Sequence, residues 1–239
     1  MIKTEKYSYN DAIQSYEGVI AFDDAIKDKR PVVLVAHTWM GQTQFETEKA
    51  KKLAEMGYLA LALDVYGKGT RAADASEAET LMNQMLADRQ ELLNRLILAL
   101  NNIKKHELAD SAKVGAIGFC FGGKCVLDLA RSGLIINGIV SFHGIFDSPG
   151  LNHQGDINAK ILVLHGWEDP LALPKDINML AEELTERNAV WEMDIFGHTG
   201  HAFTNPNANS PEQGMNYNPM ADARAWQRMV YFFEEIFEN

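Results

Sequence analysis

Lys113-Val114-Gly115-Ala116-Ile117-Gly118-Phe119-Cys120-Phe121-Gly122-Gly123-Lys124-Cys125-Val126-Leu127-Asp128-Leu129-Ala130 passes from a strand-like run to a helical pattern within one turn. The turn itself is Gly118-Phe119-Cys120-Phe121-Gly122-Gly123. Glycines on both sides of one reactive residue suit a sharp strand-to-helix turn. Neighbouring chain passes too close for a Cβ, and the central side chain is lifted above the edge of a sheet. Here the lifted group is the thiol of Cys120. At the start of a helix it feels the positive end of the helix dipole, which favours thiolate, the form that attacks carbon.

Working outward, Pro31 opens the continuous apolar run Val32-Val33-Leu34-Val35-Ala36, and similar runs follow at 59–63, 114–117, 135–142, 161–164 and 190–196. Continuous rather than alternating runs mark strands covered on both faces. Helical patterns fall between them at about 45–56, 83–105, 122–132 and 174–188, with a last one at 220–237. Alternation of this kind predicts an α/β fold, a doubly wound and mostly parallel sheet with helices on both faces. Its ligand site is expected outside the carboxyl ends of the strands. Before the first apolar run, Tyr7-Ser8-Tyr9-Asn10 and Gly18-Val19-Ile20-Ala21-Phe22 alternate and predict a short antiparallel hairpin. The segments 64–80 and 202–219 read as irregular stretches over the same sheet edge.

The chain has 239 residues, which fits one domain over 1–239 able to bury roughly 70 to 75% of its unfolded surface. Its 46% hydrophobic and 23% charged residues are ordinary for a globular protein. With 33 acidic against 22 basic residues and no basic cluster, nucleic acid is not an expected partner. No apolar run is long enough to cross a bilayer, and the start lacks a secretory pattern, so a cytoplasmic location is expected. Cys120 and Cys125, five apart, fit neither a disulfide framework nor a zinc knuckle. Cys125, one turn past the elbow, reads as a buried helix thiol.

Two further strand ends carry chemistry. One is His165-Gly166-Trp167-Glu168-Asp169-Pro170 and the other Gly197-His198-Thr199-Gly200-His201-Ala202-Phe203. Nucleophile, acid and histidine follow in the order Cys120, Asp169, His201, which suits a thiol that attacks a carbonyl with a histidine as base and a carboxylate to orient it. His198 competes with His201, but the later histidine has more chain with which to reach back over the sheet. Glu168 and Asp147 compete with Asp169. The oxyanion formed by attack needs backbone donors, expected from Phe121 N–H and from Trp39 N–H in His37-Thr38-Trp39-Met40-Gly41. Thr38, His143, Phe203 and Arg71 are expected to line the pocket. His37, His143 and His165 also stand at strand ends, but no metal-ligand spacing links them, and no metal is expected.

Taken together, the elbow at Gly118–Gly123, Gly57-Tyr58 leading into Leu63-Asp64-Val65-Tyr66, Gly166 to Asp169, and Gly200-His201-Ala202-Phe203 resemble the dienelactone hydrolase family over nearly the whole chain. That resemblance implies an α/β-hydrolase fold, a Cys-Asp-His triad and a monomer acting on a small ester or lactone with no cofactor. The chain departs from the family pattern twice. Thr38 stands where the well-studied members have a glutamate that activates the thiol, so Cys120 is left to pair directly with His201. After the triad histidine, Thr204-Asn205-Pro206 lacks the arginine that binds the dienelactone carboxylate, leaving Arg71 as the remaining candidate for an anion. A neutral ester, lactone or thioester is therefore an expected substrate as much as dienelactone. The competing reading keeps the fold and drops hydrolysis, making Cys120 a ligand-binding, redox or electrophile-sensing thiol.

Overall fold

A computed structural model describes residues 1–150 and 155–238. The chain divides into two compact units, Met1–Ala116 and Ile117–Asn239. Eight strands, numbered β1 to β8 along the chain, form a mixed, mostly parallel sheet in the order β1-β2-β4-β3-β5-β6-β7-β8.

In the first unit, β1 (Ile2–Asn10) and β2 (Ser15–Asp23) are antiparallel, in register from Ile2 opposite Asp23 to Asn10 opposite Ser15. The hairpin is longer than its alternating core suggested because Asp11 closes the turn. Its carboxylate accepts from Ile13 N–H at 2.6 Å and Gln14 N–H at 2.8 Å, an Asx-type device. Strands β3 (Arg30–Ala36) and β4 (Leu59–Ala62) pair in parallel, and β4 lies antiparallel to β2. All four residues of β4 are buried, as its unbroken apolar sequence requires. Helix α1 (Gln44–Glu55) begins at a capping box formed by Thr43 and Glu46.

Two helices occupy the region expected to hold one. Helix α2 spans Ala75–Ala87 and α3 spans Arg89–Ile103, with Asp88 between them in a non-helical conformation (φ −134°, ψ 84°). Asp74 and Asp88 each accept a hydrogen bond from the N–H three residues on, Glu77 and Glu91, so each starts a helix. The stretch 64–80 is thus irregular only up to Asp74.

Strand β5 (Ala109–Phe119) runs through the boundary into the second unit. There α4 (Phe121–Arg131) is buried along its whole length. It is followed by parallel strands β6 (Gly138–Phe142), β7 (Lys160–Gly166) and β8 (Trp191–Phe196), with α5 (Pro174–Glu186) between the last two. Strand β6 starts later than its apolar run because Ile135 is 85% exposed in the turn before it. The expected loop at 202–219 contains a small ribbon, β9 (Asn209–Ser210) paired with β10 (Met215–Asn216). The final helix α6 (Pro219–Glu238) packs on β6 and β7. Its Phe232 and Ile236 stand where a Cβ on Gly138 would lie 2.8 Å from each.

Arg131, near the end of α4, is 1% exposed yet charged, and the second unit is arranged to satisfy it. It binds Glu183 of α5 at 2.6 and 2.9 Å, Asp128 at 3.3 Å and the Phe146 carbonyl at 2.8 Å. A buried cation is tolerable only with such complete pairing. The result fastens the loop after β6 to two helices.

Candidate active site

Cys120 stands between β5 and α4 with φ 57° and ψ −116°, a conformation that a residue with a Cβ adopts only when its surroundings force it. Two glycines supply the forcing geometry. A Cβ on Gly118 would lie 2.0 Å from the Gly122 carbonyl oxygen, and one on Gly123 would lie 2.7 Å from Gly144 Cα. The elbow therefore closes backbone against backbone. Gly118→Ala should cost on the order of 3 kcal/mol through overpacking. In a chain of this size that is a fall in Tm of roughly 6 to 12 °C, readable by thermal unfolding. A Tm equal to that of the unsubstituted protein would show the turn to be looser than this geometry requires.

Asp169 follows β7 and His201 follows β8, and the structure brings them together. His201 Nδ1–H donates to Asp169 Oδ2 at 2.7 Å, with both side chains almost wholly buried. The other oxygen of Asp169 accepts from Leu171 N–H at 2.8 Å, so the carboxylate is held at both ends. The His201 backbone is bound twice to the ribbon: its N–H to the Gly214 carbonyl at 2.7 Å, and its carbonyl to Asn216 N–H at 3.2 Å. Close passage is again needed, since a Cβ on Gly200 would lie 2.2 Å from the Gly214 oxygen.

The second imidazole nitrogen of His201, Nε2, is buried and makes no hydrogen bond of ordinary geometry among the described residues. The Cys120 sulfur nevertheless acts on the ring. Burial pulls the His201 pKa down, but the negative charge that Cys120 can carry, the bond to Asp169 and the contact with Cys120 outweigh it and raise the value to about 10. With its pKa raised to about 10, His201 is an imidazolium at neutral pH.

The competing residues lie elsewhere. His198, with its side chain 98% exposed, pairs with Glu168 at 3.2 Å on the surface. Asp147 is half-exposed and paired with the buried Lys124. His165 donates from Nε2 to the Ala172 carbonyl at 2.9 Å, fixing the loop that carries Asp169. Burial holds its pKa low, against the pull of Asp169. Among the described residues no group of three or more His, Cys, Asp or Glu side chains is arranged to hold a metal ion.

Phe121 opens α4, where N–H groups have no acceptor within the helix. In the first unit, the turn bearing Trp39 is closed by Gly41 N–H donating to the Thr38 carbonyl at 3.2 Å, and the Trp39 carbonyl accepts from Tyr66 Oη–H at 2.9 Å. Thr38 N–H donates to Glu46 at 3.0 Å, and Glu46, fully buried, also accepts from Thr43 N–H and Thr43 Oγ1–H at 2.8 and 2.7 Å. A glutamate thus does stand beside Thr38, but its oxygens fasten the turn. The pattern Thr43-x-x-Glu46 was its visible signal in the sequence. His37 donates to the Thr38 carbonyl at 2.6 Å and accepts from Val65 N–H at 3.3 Å. Both its nitrogens are used, and burial lowers its pKa.

Three residues expected at the pocket are placed differently. Arg71 spends its guanidinium on its own unit: on the Gln42, Thr70 and Glu17 carbonyls and on Asp64, which is buried and 3.3 Å away. That commitment replaces the expected anion site. Phe203 is fully buried against the rings of Phe196 and His143, with centroids at 5.5 and 5.2 Å, and is core rather than pocket wall. His143, only 1% exposed, bonds to the elbow and to Thr204. Nothing in the sequence marked that link or Thr204, because it depends on how two loops fold back.

The family model described as "Dienelactone hydrolase family" matches residues 17–237. The chain belongs to the dienelactone hydrolase family. A similar protein of Yersinia pestis is named "Putative carboxymethylenebutenolidase", 26% identical over 95% of this chain and 85% of its own length. Two solved structures are each 32% identical over 99% of both chains. One is the structure named m3DLH, with a TM-score of 0.94. The other is a dienelactone hydrolase-like promiscuous phosphotriesterase from metagenomic libraries, with a TM-score of 0.93.

Proposed function

We propose that this member of the dienelactone hydrolase family hydrolyses a small carboxylic ester or lactone by passing its acyl group first to Cys120 Sγ and then to water. The observation that carries the reading is the buried 2.7 Å bond between Asp169 and His201, beside a thiol on a strained elbow. The family membership and the butenolidase relative support the substrate class. Arg71, committed to partners within its own unit, supports a neutral substrate over an anionic one.

His201 is charged at neutral pH and faces the Cys120 sulfur, which attacks in its thiolate form. The sulfur lone pair forms the S–C bond while the carbonyl π electrons move to oxygen, where Phe121 N–H stabilises the charge. Collapse breaks the C–O bond of the ester, and His201 Nε2–H gives its proton to the departing alkoxide. A lactone keeps that alcohol within the acyl group. The thioester carries no charge, so the largest influence raising the His201 pKa disappears on acylation. The imidazole is then a competent base. It takes a proton from water as the water oxygen bonds to the acyl carbon, and collapse expels the thiolate with the carboxylic acid. Cys120, His201 and water account for every proton and electron pair.

The test is a panel of nitrophenyl esters, unsubstituted butenolides, a carboxylated dienelactone and an aryl dialkyl phosphotriester, followed by rapid quenching and intact-mass analysis. Turnover of neutral substrates with an acyl mass increment on Cys120 is expected. Absence of turnover and of any adduct would sink the proposal. Preference for the carboxylated lactone would overturn the neutral-substrate part alone.

A further inference from the structure

His143 makes contacts that neither the triad nor the oxyanion donor accounts for. It follows β6 with a positive φ of 37°, uncommon for residues other than glycine although His, like Asn and Asp, adopts it more often than most. Its N–H donates to the Leu164 carbonyl at 2.8 Å, which fixes the backbone there. The ring lies inside the second unit. Nδ1 is 3.1 Å from the backbone nitrogen of Cys120, and Nε2 is 2.8 Å from Oγ1 of the fully buried Thr204. The His143 and His201 rings meet edge to face at a centroid distance of 5.1 Å and an angle of 68°. One side chain thus touches the nucleophile's backbone, the base and the loop that follows the base.

A backbone N–H can only donate, so Nδ1 must present its lone pair to Cys120. The ring proton then sits on Nε2 and is donated to Thr204. Protonation of Nδ1 would set donor against donor and break the link to the elbow. The same Cys120 N–H also points to the Phe142 carbonyl at 3.1 Å, so it is shared between the end of β6 and the imidazole. We propose that His143 is a positioning residue: a neutral, Nε2-protonated imidazole that ties the Cys120 elbow to the His201 loop and fixes the separation of sulfur and base. It deepens the hydrolase reading, on which the kinetic part of its test rests. Alignment of this kind is valuable because a displacement of about 1 Å at reacting groups can cost roughly 100-fold in rate.

Three variants separate positioning from plain packing. His143→Phe keeps a ring against His201, Phe203 and Phe119 and removes both hydrogen bonds. Thr204→Val removes the acceptor of Nε2–H at nearly constant shape. His143→Asn keeps an oxygen able to accept from Cys120 N–H and suits a positive φ. Expected are kcat values roughly 10- to 100-fold lower for His143→Phe and Thr204→Val with KM within about 2-fold, and a kcat within about 5-fold of the unsubstituted protein for His143→Asn. Iodoacetamide labelling of Cys120 should slow in the same order, and it needs no ester turnover. The long-range proton–nitrogen NMR spectrum of the unsubstituted protein should show His143 protonated at Nε2 and bare at Nδ1. An Nδ1-protonated or charged ring at neutral pH, or unchanged labelling and kcat in both His143→Phe and Thr204→Val, overturns the proposal. Labelling and NMR decide the matter for His143 even if the protein proves not to cleave esters.

Discussion

Cys120→Ala should lower kcat/KM for a neutral butenolide by roughly 10,000-fold or more, with Tm within a few degrees of the unsubstituted protein. Alanine fits the elbow as well as cysteine does, since the strain at φ 57° resides in the backbone and in the glycine contacts on either side. What disappears is the atom that forms the acyl bond. Cys120→Ser is the sharper comparison. A neutral hydroxyl withdraws the charge that contributes most to raising the His201 pKa, so the imidazolium is no longer favoured and the histidine must act as a base toward a weaker acid. Activity roughly 100- to 1,000-fold below the unsubstituted protein is expected for serine. Steady-state kinetics with intact-mass analysis reads both variants, and an alanine variant that still forms an acyl adduct would remove Cys120 from the mechanism.

The second large effect is at Asp169. Asp169→Asn leaves the shape of the side chain but replaces a charged acceptor of the His201 Nδ1–H bond with an amide, which can turn its NH2 toward the ring and stabilise the wrong tautomer. A loss in kcat of roughly 10,000-fold is expected. The pH profile gives an independent sign. In the unsubstituted protein the His201 pKa is raised to about 10, so the proton needed by the leaving alkoxide is present at neutral pH and lost only as pH climbs through that region. Plotted as kcat/KM for an alkyl lactone, the alkaline limb should therefore fall near pH 10. The amide in the Asp169→Asn variant supplies neither the charge nor the full bond that raises the value, so the limb should move down toward neutrality. A profile with the same alkaline limb in both proteins would rule out Asp169 as the partner of the base.

The architecture was legible because the continuous apolar runs at β3, β4, β6 and β7 are all parallel strands, and a short continuous run bounded by turns has few other uses in an α/β chain; β8, at the sheet edge, instead carries Glu192 and Asp194 between its apolar residues. The exception to clean reading was the helical region after β4. There the apolar positions from Leu92 to Leu100 carry one period, while the break at Asp88 is a capping event that periodicity does not register. Chain order suggested Cys120, Asp169 and His201, and length of chain favoured His201 over His198, but the geometry that separates the two histidines was not written in the sequence. That distinction is one of direction, outward to Glu168 or inward to Asp169, and the short loop that holds both histidines contains no statement of it. The pocket residues failed for the same reason. Arg71 and Phe203 have the right chemistry in the right loops, yet one is consumed by carbonyls and a carboxylate of its own unit and the other by the core.

Helix α4, buried over its whole length, carries the proposed nucleophile on an element whose amides should be among the slowest of the second unit to exchange with solvent. The proposed base, His201, is secured differently. Its backbone hangs on a ribbon of two two-residue strands, next to segments that face water. Heating should thus divide the site before it dissolves the fold: the histidine loop frays first, and the thiol is left on an intact helix without its proton partner. Loss of activity on heating should therefore follow the ribbon from Asn209 to Asn216 rather than the core around α4, and reinforcing that core should extend the life of the fold more than that of the activity.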